Sequence, residues 1–145
     1  MAAKTLESLK VKLFTDGADK AQIVDMAKNR WIAGFTTNPS LLKKAGVKDY
    51  EAFGREVVAA VPDRHISFEV FSDDIPEMVA QARHISAWGK NVYCKLPVTN
   101  TRGDTLYEAV RALARDGVKI NLTAIFNDEQ AQKGVEALAG GAPSV

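Results

Sequence analysis

Five short apolar segments alternate with helical segments along the chain, and this alternation is the feature that most constrains the fold. The predicted strands cover 11–16, 32–38, 65–71, 91–98 and 119–126. The predicted helices cover 19–30, 39–60, 73–88, 104–116 and 127–139, the second of them broken near Gly46. Strands that alternate with helices form parallel sheets with right-handed crossovers. A doubly wound sheet and a (β/α)8 barrel both fit this order.

The two faces of each predicted strand differ in polarity, since successive side chains of a strand point to opposite sides. The face that would pack on helices carries Val11, Leu13, Ile66, Phe68, Val70, Val92, Cys94, Leu96, Val98, Ile120, Leu122 and Ala124 and, less cleanly, Ala33, Phe35 and Thr37. The opposite face carries Lys12, Asp16, Thr36, Asn38, Ser67, Glu69, Lys95, Asn121 and Thr123. Both faces of a doubly wound sheet meet helices and are apolar. One polar face therefore favours the lining of a barrel, with the polar groups toward the carboxyl ends of the strands, where barrel active sites form.

The length of the chain sets how much of a barrel it can build. Its 145 residues predict a single domain, residues 1–145, with one core. A complete barrel needs about 200 residues or more, so this domain corresponds to the first five βα units, the N-terminal part of a barrel of the TIM type. The sequence ends at "GGAPSV", where a sixth strand would begin. A fragment of a longer enzyme, one piece of a nicked chain and a half-barrel that pairs with another polypeptide all remain open.

Composition excludes several classes of protein. A net charge of +1 without a basic stripe argues against a nucleic-acid partner. The apolar runs are far shorter than the roughly 20 residues that cross a bilayer, and the first residues lack the apolar core of a signal peptide. The single cysteine, Cys94, excludes an internal disulfide framework. We therefore expect a cytoplasmic protein with no membrane partner.

Lys95 lies inside "NVYCKLPVT", a run that otherwise suits a buried strand. Burying an ammonium ion costs several kcal/mol (about 3–5 when it is left unpaired) unless a carboxylate pairs with it or it loses its proton. The polar face offers Asp16 and Glu69 as partners. A desolvated amine can attack a carbonyl carbon and form a Schiff base, and a neighbouring carboxylate can then carry protons. The plainer alternative is an ion pair with Asp16 or Glu69 that only stabilises the barrel.

Other candidates have structural explanations. Cys94 lies on the apolar face and is predicted to be a core residue. Asn38 could simply cap a helix that begins at Pro39. His65 and His84 are interpreted as surface or strand-edge residues, and no group of residues has the spacing of a metal site.

The motifs resemble those of the transaldolase family, in the same order and over essentially the whole chain. They are "TDGAD" on the first strand, "GFTTNPSLL" on the second, "SFEV" on the third, "CKLPVT" on the fourth and "NLTAIF" on the fifth. The resemblance implies a (β/α)8 barrel in which Lys95 forms the Schiff base and Asp16 is the acid/base residue. Glu69 and Thr123 would hold the catalytic water. Thr36, Asn38 and Asn121 would bind sugar hydroxyls.

The resemblance also implies a reaction. A transaldolase transfers a dihydroxyacetone unit between sugar phosphates, in the pentose phosphate pathway, with no cofactor or metal. Related fructose-6-phosphate aldolases catalyse simple cleavage and have glutamine at the position of Glu69, so the carboxylate favours transfer. A lyase of that kind, or a non-catalytic fragment that binds without reacting, is the alternative. The family's phosphate-binding residues come from later strands, so the 145-residue chain alone is expected to be inactive. The partners expected are sugar phosphates and either further copies of the chain or the missing barrel half.

Overall fold

The computed structural model describes residues 5–6 and 10–145. The strands of this part of the chain form one parallel five-stranded sheet. Its strands are β1 (Leu13–Asp16), β2 (Ile32–Thr36), β3 (His65–Glu69), β4 (Val92–Pro97) and β5 (Ile120–Thr123). Each strand is hydrogen-bonded to the next strand along the chain. A doubly wound sheet instead changes its strand order at a switch point. The sequential order confirms the predicted fold class, a partial parallel (β/α) barrel of the TIM type.

Helices alternate with the strands as predicted. Those that the described residues form are α1 (Lys20–Met26), α2 (Pro39–Lys44), α3 (Tyr50–Ala60), α4 (Ile75–Ser86), α5 (Tyr107–Arg115) and α6 (Asp128–Leu138). The predicted break near Gly46 separates α2 from α3, and Gly46 has a φ of 74°, a conformation that favours glycine. Among the described residues, no helix combines the length and the apolar character that crossing a membrane requires.

The predicted strands β2, β3 and β5 extend too far at their carboxyl ends, and β3 ends at Glu69 rather than at 71. β2 ends at Thr36 rather than at 38, because Asn38 caps α2. β5 ends at Thr123 rather than at 126, because Ala124 has a φ of 59° and turns the chain away from the sheet. Ala124 is exposed, and Val11 lies before β1 and is 67% exposed. The prediction that these two residues pack on helices was therefore wrong.

The core lies between the apolar face of the sheet and the helices. Ile66, Phe68, Leu96 and Ile120 are fully buried there, and burial of each such side chain contributes about 1.5–3 kcal/mol. From the helices, Ala82, Val110 and Leu113 are also fully buried. The polar faces of the strands are thereby left on the concave side of the sheet, which we call the lumen.

Cys94 is part of this core, as predicted. It is fully buried, and its thiol donates a hydrogen bond of 3.0 Å to the carbonyl of Ala82 in α4. Burial raises the pKa of the Cys94 thiol to about 12. The thiol therefore stays protonated at physiological pH.

The last residue of the chain extends the sheet beyond β5. The N–H of Val145 donates to the carbonyl of Ile120 at 2.9 Å, and the N–H of Leu122 donates to the carbonyl of Val145 at 3.0 Å. This is parallel pairing on the outer edge of β5. Val145 thus pairs with β5 at the end of "GGAPSV", where the sequence predicts the start of a sixth strand.

Aromatic side chains lie in the lumen below the polar residues, toward the amino-terminal ends of the strands. The ring of His65 stacks on that of Tyr93 with centroids 4.5 Å apart, and Phe14 lies 6.0 Å from His65 on the other side. Nδ1 of His65 is buried without a hydrogen-bond partner in the described part of the chain. His65 is thus half-buried in the lumen rather than on the surface or at a strand edge, whereas His84 is exposed and contacts Glu51 at 2.7 Å.

We predict that His65 makes the folded protein less stable in mild acid. Desolvation, followed by the positive charges of Lys12 and Lys119, lowers the pKa of His65 below its usual 6.5. The unfolded state then binds the proton more readily, so the free energy of unfolding falls as the pH drops through about 6.5. Urea unfolding of the whole protein between about pH 7.5 and about pH 5.5 measures this decrease.

The matched controls are the two histidine substitutions. His65→Gln should show a smaller decrease over this interval, whereas His84→Gln should retain it. An equal decrease in wild type and His65→Gln would assign the acid sensitivity to other groups.

Candidate active site

Lys95 lies on the lumen side of β4, and its partner is the neighbouring carboxylate of β3. Nζ of Lys95 is 3.4 Å from Oε2 of Glu69, and their side chains are 18% and 25% exposed. The two residues are adjacent because Glu69 is opposite Lys95 in the β3–β4 register. Of the two pairings that the sequence left open for Lys95, the structure therefore has the one with Glu69.

Asp16 is held by a different neighbour. It is the last residue of β1, and its Oδ1 accepts a hydrogen bond of 2.8 Å from the hydroxyl of Thr36. Thr36 is opposite Asp16 in the β1–β2 register and ends β2. The sheet thus presents two separate carboxylates at the carboxyl ends of its strands, one on β1 and the other beside the lysine.

Asn121 lies on the other side of Lys95. The two residues are opposite each other in the β4–β5 register, and Nδ2 of Asn121 donates to the hydroxyl oxygen of Ser67 at 3.0 Å. Ser67 is fully buried on β3 and is opposite Tyr93 in register. The hydrogen bond from Asn121 to Ser67 therefore crosses over β4 between Tyr93 and Lys95. Oδ1 of Asn121 is the acceptor that a hydroxyl group of a ligand could use.

Thr123 and Asn38 mark the carboxyl ends of β5 and β2. Thr123 is the last residue of β5, half-buried, and is opposite Pro97 in register. Asn38 caps α2, because its Oδ1 accepts a hydrogen bond of 2.9 Å from the N–H of Leu41. The capping function that the sequence suggested is therefore present, and the amide nitrogen is the donor that a ligand could use. Sugar binding by Asn38 and water binding by Thr123 stay predictions.

Two loops at the same end of the barrel are joined by a network that the sequence analysis missed. Asp73, after β3, accepts hydrogen bonds from the N–H and the hydroxyl of Thr101, after β4, at 2.8 and 2.7 Å. These bonds from Thr101 lower the pKa of Asp73 below its usual 3.8. Arg102 lies near both Asp73 and Asp104. No sequence motif marks this pairing, because it joins exposed loop residues far apart in the chain.

Two cavities differ in their relation to Lys95. A cleft of about 330 Å³ opens between these loops and is lined by Glu69, Pro97 and Thr99, among others. A larger groove of about 670 Å³ lies between α3 and α4 on the helical side of the sheet. The larger groove includes none of the polar residues of the lumen, so the candidate site is the cleft and the lumen beside it.

The arrangement has the groups that carbonyl chemistry requires. A primary amine in a partly desolvated site can attack a carbonyl carbon when it is unprotonated. Glu69 is close enough to exchange a proton with the amine through one water molecule, and Asp16 is a second carboxylate at the same end of the strands. The hydroxyl and amide groups of Thr36 and Asn121 could orient a polyhydroxylated ligand.

Comparison with known proteins identifies the family. The sequence model of the family described as "Transaldolase/Fructose-6-phosphate aldolase" matches residues 13–145. A protein named "Probable transaldolase" from Dehalococcoides mccartyi is 36% identical over 132 residues, which are 91% of this chain and 58% of that protein. Proteins of the same name from Methanococcus maripaludis and Thermoanaerobacter sp. are 36% and 38% identical over 121 residues, 83% of this chain and 54% and 53% of those proteins.

The chain therefore spans a little over half the length of these relatives. The family match covers all five described strands and the polar residues from Asp16 to Thr123. The chain belongs to the transaldolase/fructose-6-phosphate aldolase family.

Proposed function

We propose that the whole protein, meaning residues 1–145 together with any that complete the barrel, is a transaldolase. It transfers a dihydroxyacetone unit from a ketose phosphate to an aldose phosphate through a Schiff base on Lys95. The observation that carries the proposal is the pair of Lys95 and Glu69, 3.4 Å apart on neighbouring strands of a barrel lumen. The names of the relatives support the same reaction.

The reaction begins with attack of the Lys95 amine on the carbonyl carbon of the ketose phosphate. Loss of water gives the protonated Schiff base, which withdraws electrons from the adjacent carbon–carbon bond. Asp16 then takes the proton of the neighbouring hydroxyl group, the bond breaks, and an aldose phosphate leaves. The three-carbon unit stays on Lys95 as an enamine until it attacks the aldehyde of the acceptor. Hydrolysis of the new Schiff base returns the free amine.

The other polar residues serve this sequence of steps. Glu69 and Thr123 hold the water that carries protons during formation and hydrolysis of the Schiff base. Thr36, Asn38 and Asn121 bind hydroxyl groups of the sugar and hold the three-carbon unit in place between the two half-reactions. Thr36 also fixes Asp16, because its hydroxyl already donates to that carboxylate.

The phosphate group is bound by residues outside this chain. The family resemblance implies that those residues belong to later strands, and this supports the proposal that the chain of residues 1–145 alone is inactive. It would associate with the missing barrel half, or with further copies of itself. The proposed reaction belongs to the pentose phosphate pathway and takes place in the cytoplasm, with sugar phosphates as the only ligands and no nucleic-acid or membrane partner.

The alternative is the simple cleavage that the second half of the family's name describes. In that reaction the enamine takes a proton to become a Schiff base, and water then hydrolyses this Schiff base to free dihydroxyacetone and the amine of Lys95. Glu69 favours transfer, because a carboxylate can exchange a proton with a bound water molecule and an amide cannot. A fragment that binds without reacting is the remaining alternative.

The test of the function is the product ratio of Glu69→Gln in the whole protein. With fructose 6-phosphate and an aldose phosphate acceptor, we expect the variant to transfer at least about tenfold more slowly, since general acid–base catalysis contributes about 10²–10⁴-fold. The share of free dihydroxyacetone should rise. Chromatography of the products measures both quantities.

Glu77→Gln is the matched control, since it makes the same change at an exposed position of α4. This control should keep the wild-type ratio. A Glu69→Gln ratio equal to that of wild type would exclude the proposed role of Glu69, and a wild type that releases only free dihydroxyacetone would establish the lyase.

A further inference from the structure

The backbone carbonyl of Glu69 lacks the partner that the sheet would normally supply. In a parallel pair, alternate carbonyls of one strand accept from N–H groups of its neighbour. The carbonyl of Ser67 follows this pattern, since it accepts from the N–H of Thr37 at 3.1 Å. Two residues further along, the donor to Glu69 would be the N–H of residue 39. Residue 39 is Pro39, which has no N–H and already begins α2.

Tyr50 supplies the missing donor from outside the sheet. Its hydroxyl donates a hydrogen bond of 2.9 Å to the carbonyl of Glu69. Tyr50 is the first residue of α3, and its ring is held edge-on by Phe68, Phe71 and Trp88, with centroids 5.9, 4.6 and 5.3 Å away. Asp49 caps α3 by accepting from the N–H of Ala52. The position of this hydroxyl is therefore fixed by both a helix terminus and three aromatic rings.

The hydroxyl remains a donor throughout the working pH range. Desolvation is the main cause that raises the pKa of Tyr50 above its usual 10, because the buried phenol disfavours ionisation. An unpaired carbonyl at this point would be costly, since a buried polar group without a partner loses its hydration without compensation. The end of β3 therefore depends on Tyr50 for its hydrogen bonding.

We propose that Tyr50 is a positioning residue that holds the strand end of Glu69 and thereby sets the distance between the Glu69 carboxylate and Lys95. Tyr50 acts from the helical side of the sheet and does not touch the substrate. The proposal rests on the proposed function, because it assigns Tyr50 an effect on the partition between transfer and cleavage. No motif in the sequence marks Tyr50. The sequence feature that points to Tyr50 is Pro39 after β2. In the register of β2 and β3, Pro39 cannot donate to the carbonyl of Glu69, so another donor is needed.

Tyr50→Phe in the whole protein removes only the hydroxyl and leaves the ring in place. We expect the share of free dihydroxyacetone to rise at least about twofold, in the same direction as in Glu69→Gln but by less, since small displacements of a catalytic group can cost up to about 100-fold in rate. A purely structural role would lower the amount of active protein without changing this share. Tyr107→Phe, the same change at the start of α5, is the control and should keep the wild-type share.

A second measurement reports on the hydrogen bond itself. With ¹³C in the backbone carbonyls of glutamate, the Glu69 signal should shift in Tyr50→Phe and stay unchanged in Tyr107→Phe. An unchanged Glu69 signal, or a share of free dihydroxyacetone equal in wild type and Tyr50→Phe, would overturn the proposal. A wild type that forms no adduct at Lys95 overturns the proposed function instead. The carbonyl signal then still decides whether Tyr50 holds the strand end.

Discussion

Lys95→Ala in the whole protein is expected to form no borohydride-reduced adduct with fructose 6-phosphate and to lose at least roughly a thousandfold in the rate of transfer. In the proposed mechanism the amine is the group that forms a covalent bond with the substrate, so neither half-reaction has a substitute for it. Peptide mass spectrometry after reduction should locate the wild-type adduct on the peptide that contains Lys95. The activity is followed by coupling release of the aldose phosphate to a dehydrogenase.

Lys119→Ala is the informative control for that experiment. Lys119 comes immediately before β5, and its Nζ donates to the carbonyl of Lys90 and lies 5.5 Å from the ring of Tyr93. It is therefore a lumen lysine that, among the residues the structure describes, forms no ion pair like that of Lys95 with Glu69. We expect its substitution to leave both the adduct and the rate of transfer close to those of wild type. An adduct on Lys119, or unchanged labelling in Lys95→Ala, would show that the reactive amine is not Lys95.

A polypeptide of residues 1–145 alone is expected to show no transaldolase activity and to form oligomers or aggregates. β1 and β5 are the outermost strands of the described sheet, and Val145 covers only part of the edge of β5. Unpaired strand edges attract other strands, which favours association. Lys95 and Glu69 would also face water instead of a closed lumen. Ionic and polar interactions are weaker in water than in the interior of a protein.

Sedimentation velocity and the coupled assay on this polypeptide measure the two parts of the prediction. Addition of the remaining barrel, in trans or by fusion to the corresponding part of the Dehalococcoides mccartyi relative, should give a single species with activity. The same addition to the Lys95→Ala polypeptide should restore the single species without activity. A compact, active monomer formed by residues 1–145 alone would contradict the barrel argument.

Most of the architecture could be predicted from strand parity. The alternation of apolar and polar residues in β3, β4 and β5 placed Phe68 and Leu96 in the core and Glu69 and Lys95 in the lumen, and the structure confirms all four positions. Parity failed only at strand ends, where turn geometry replaces the alternation. Ala124 is the clearest case, because its left-handed conformation depends on the chain that follows and not on its own side chain.

The sequence indicated which residues belong to the candidate site better than it indicated which of them contact each other. Strand position alone could not decide whether Lys95 pairs with Asp16 or with Glu69, because that choice depends on which strands are neighbours and on their register. The bond from Asn121 to Ser67 and the bond from Tyr50 to Glu69 join residues of different elements across the sheet. Such contacts have no local sequence signal and follow only from the three-dimensional arrangement.

The burial of Cys94 has a consequence for the selectivity of the neighbouring amine. Two nucleophiles follow each other in the chain, but the alternation of the strand sends the thiol toward α4 and the amine into the lumen. The pKa of about 12 keeps the Cys94 thiol protonated, and a protonated thiol reacts poorly with electrophiles. Of these two neighbouring nucleophiles, only the Lys95 amine therefore faces the lumen. The alternation of β4 thus keeps the Cys94 thiol on the opposite face of the sheet from the Lys95 amine that we propose as the nucleophile.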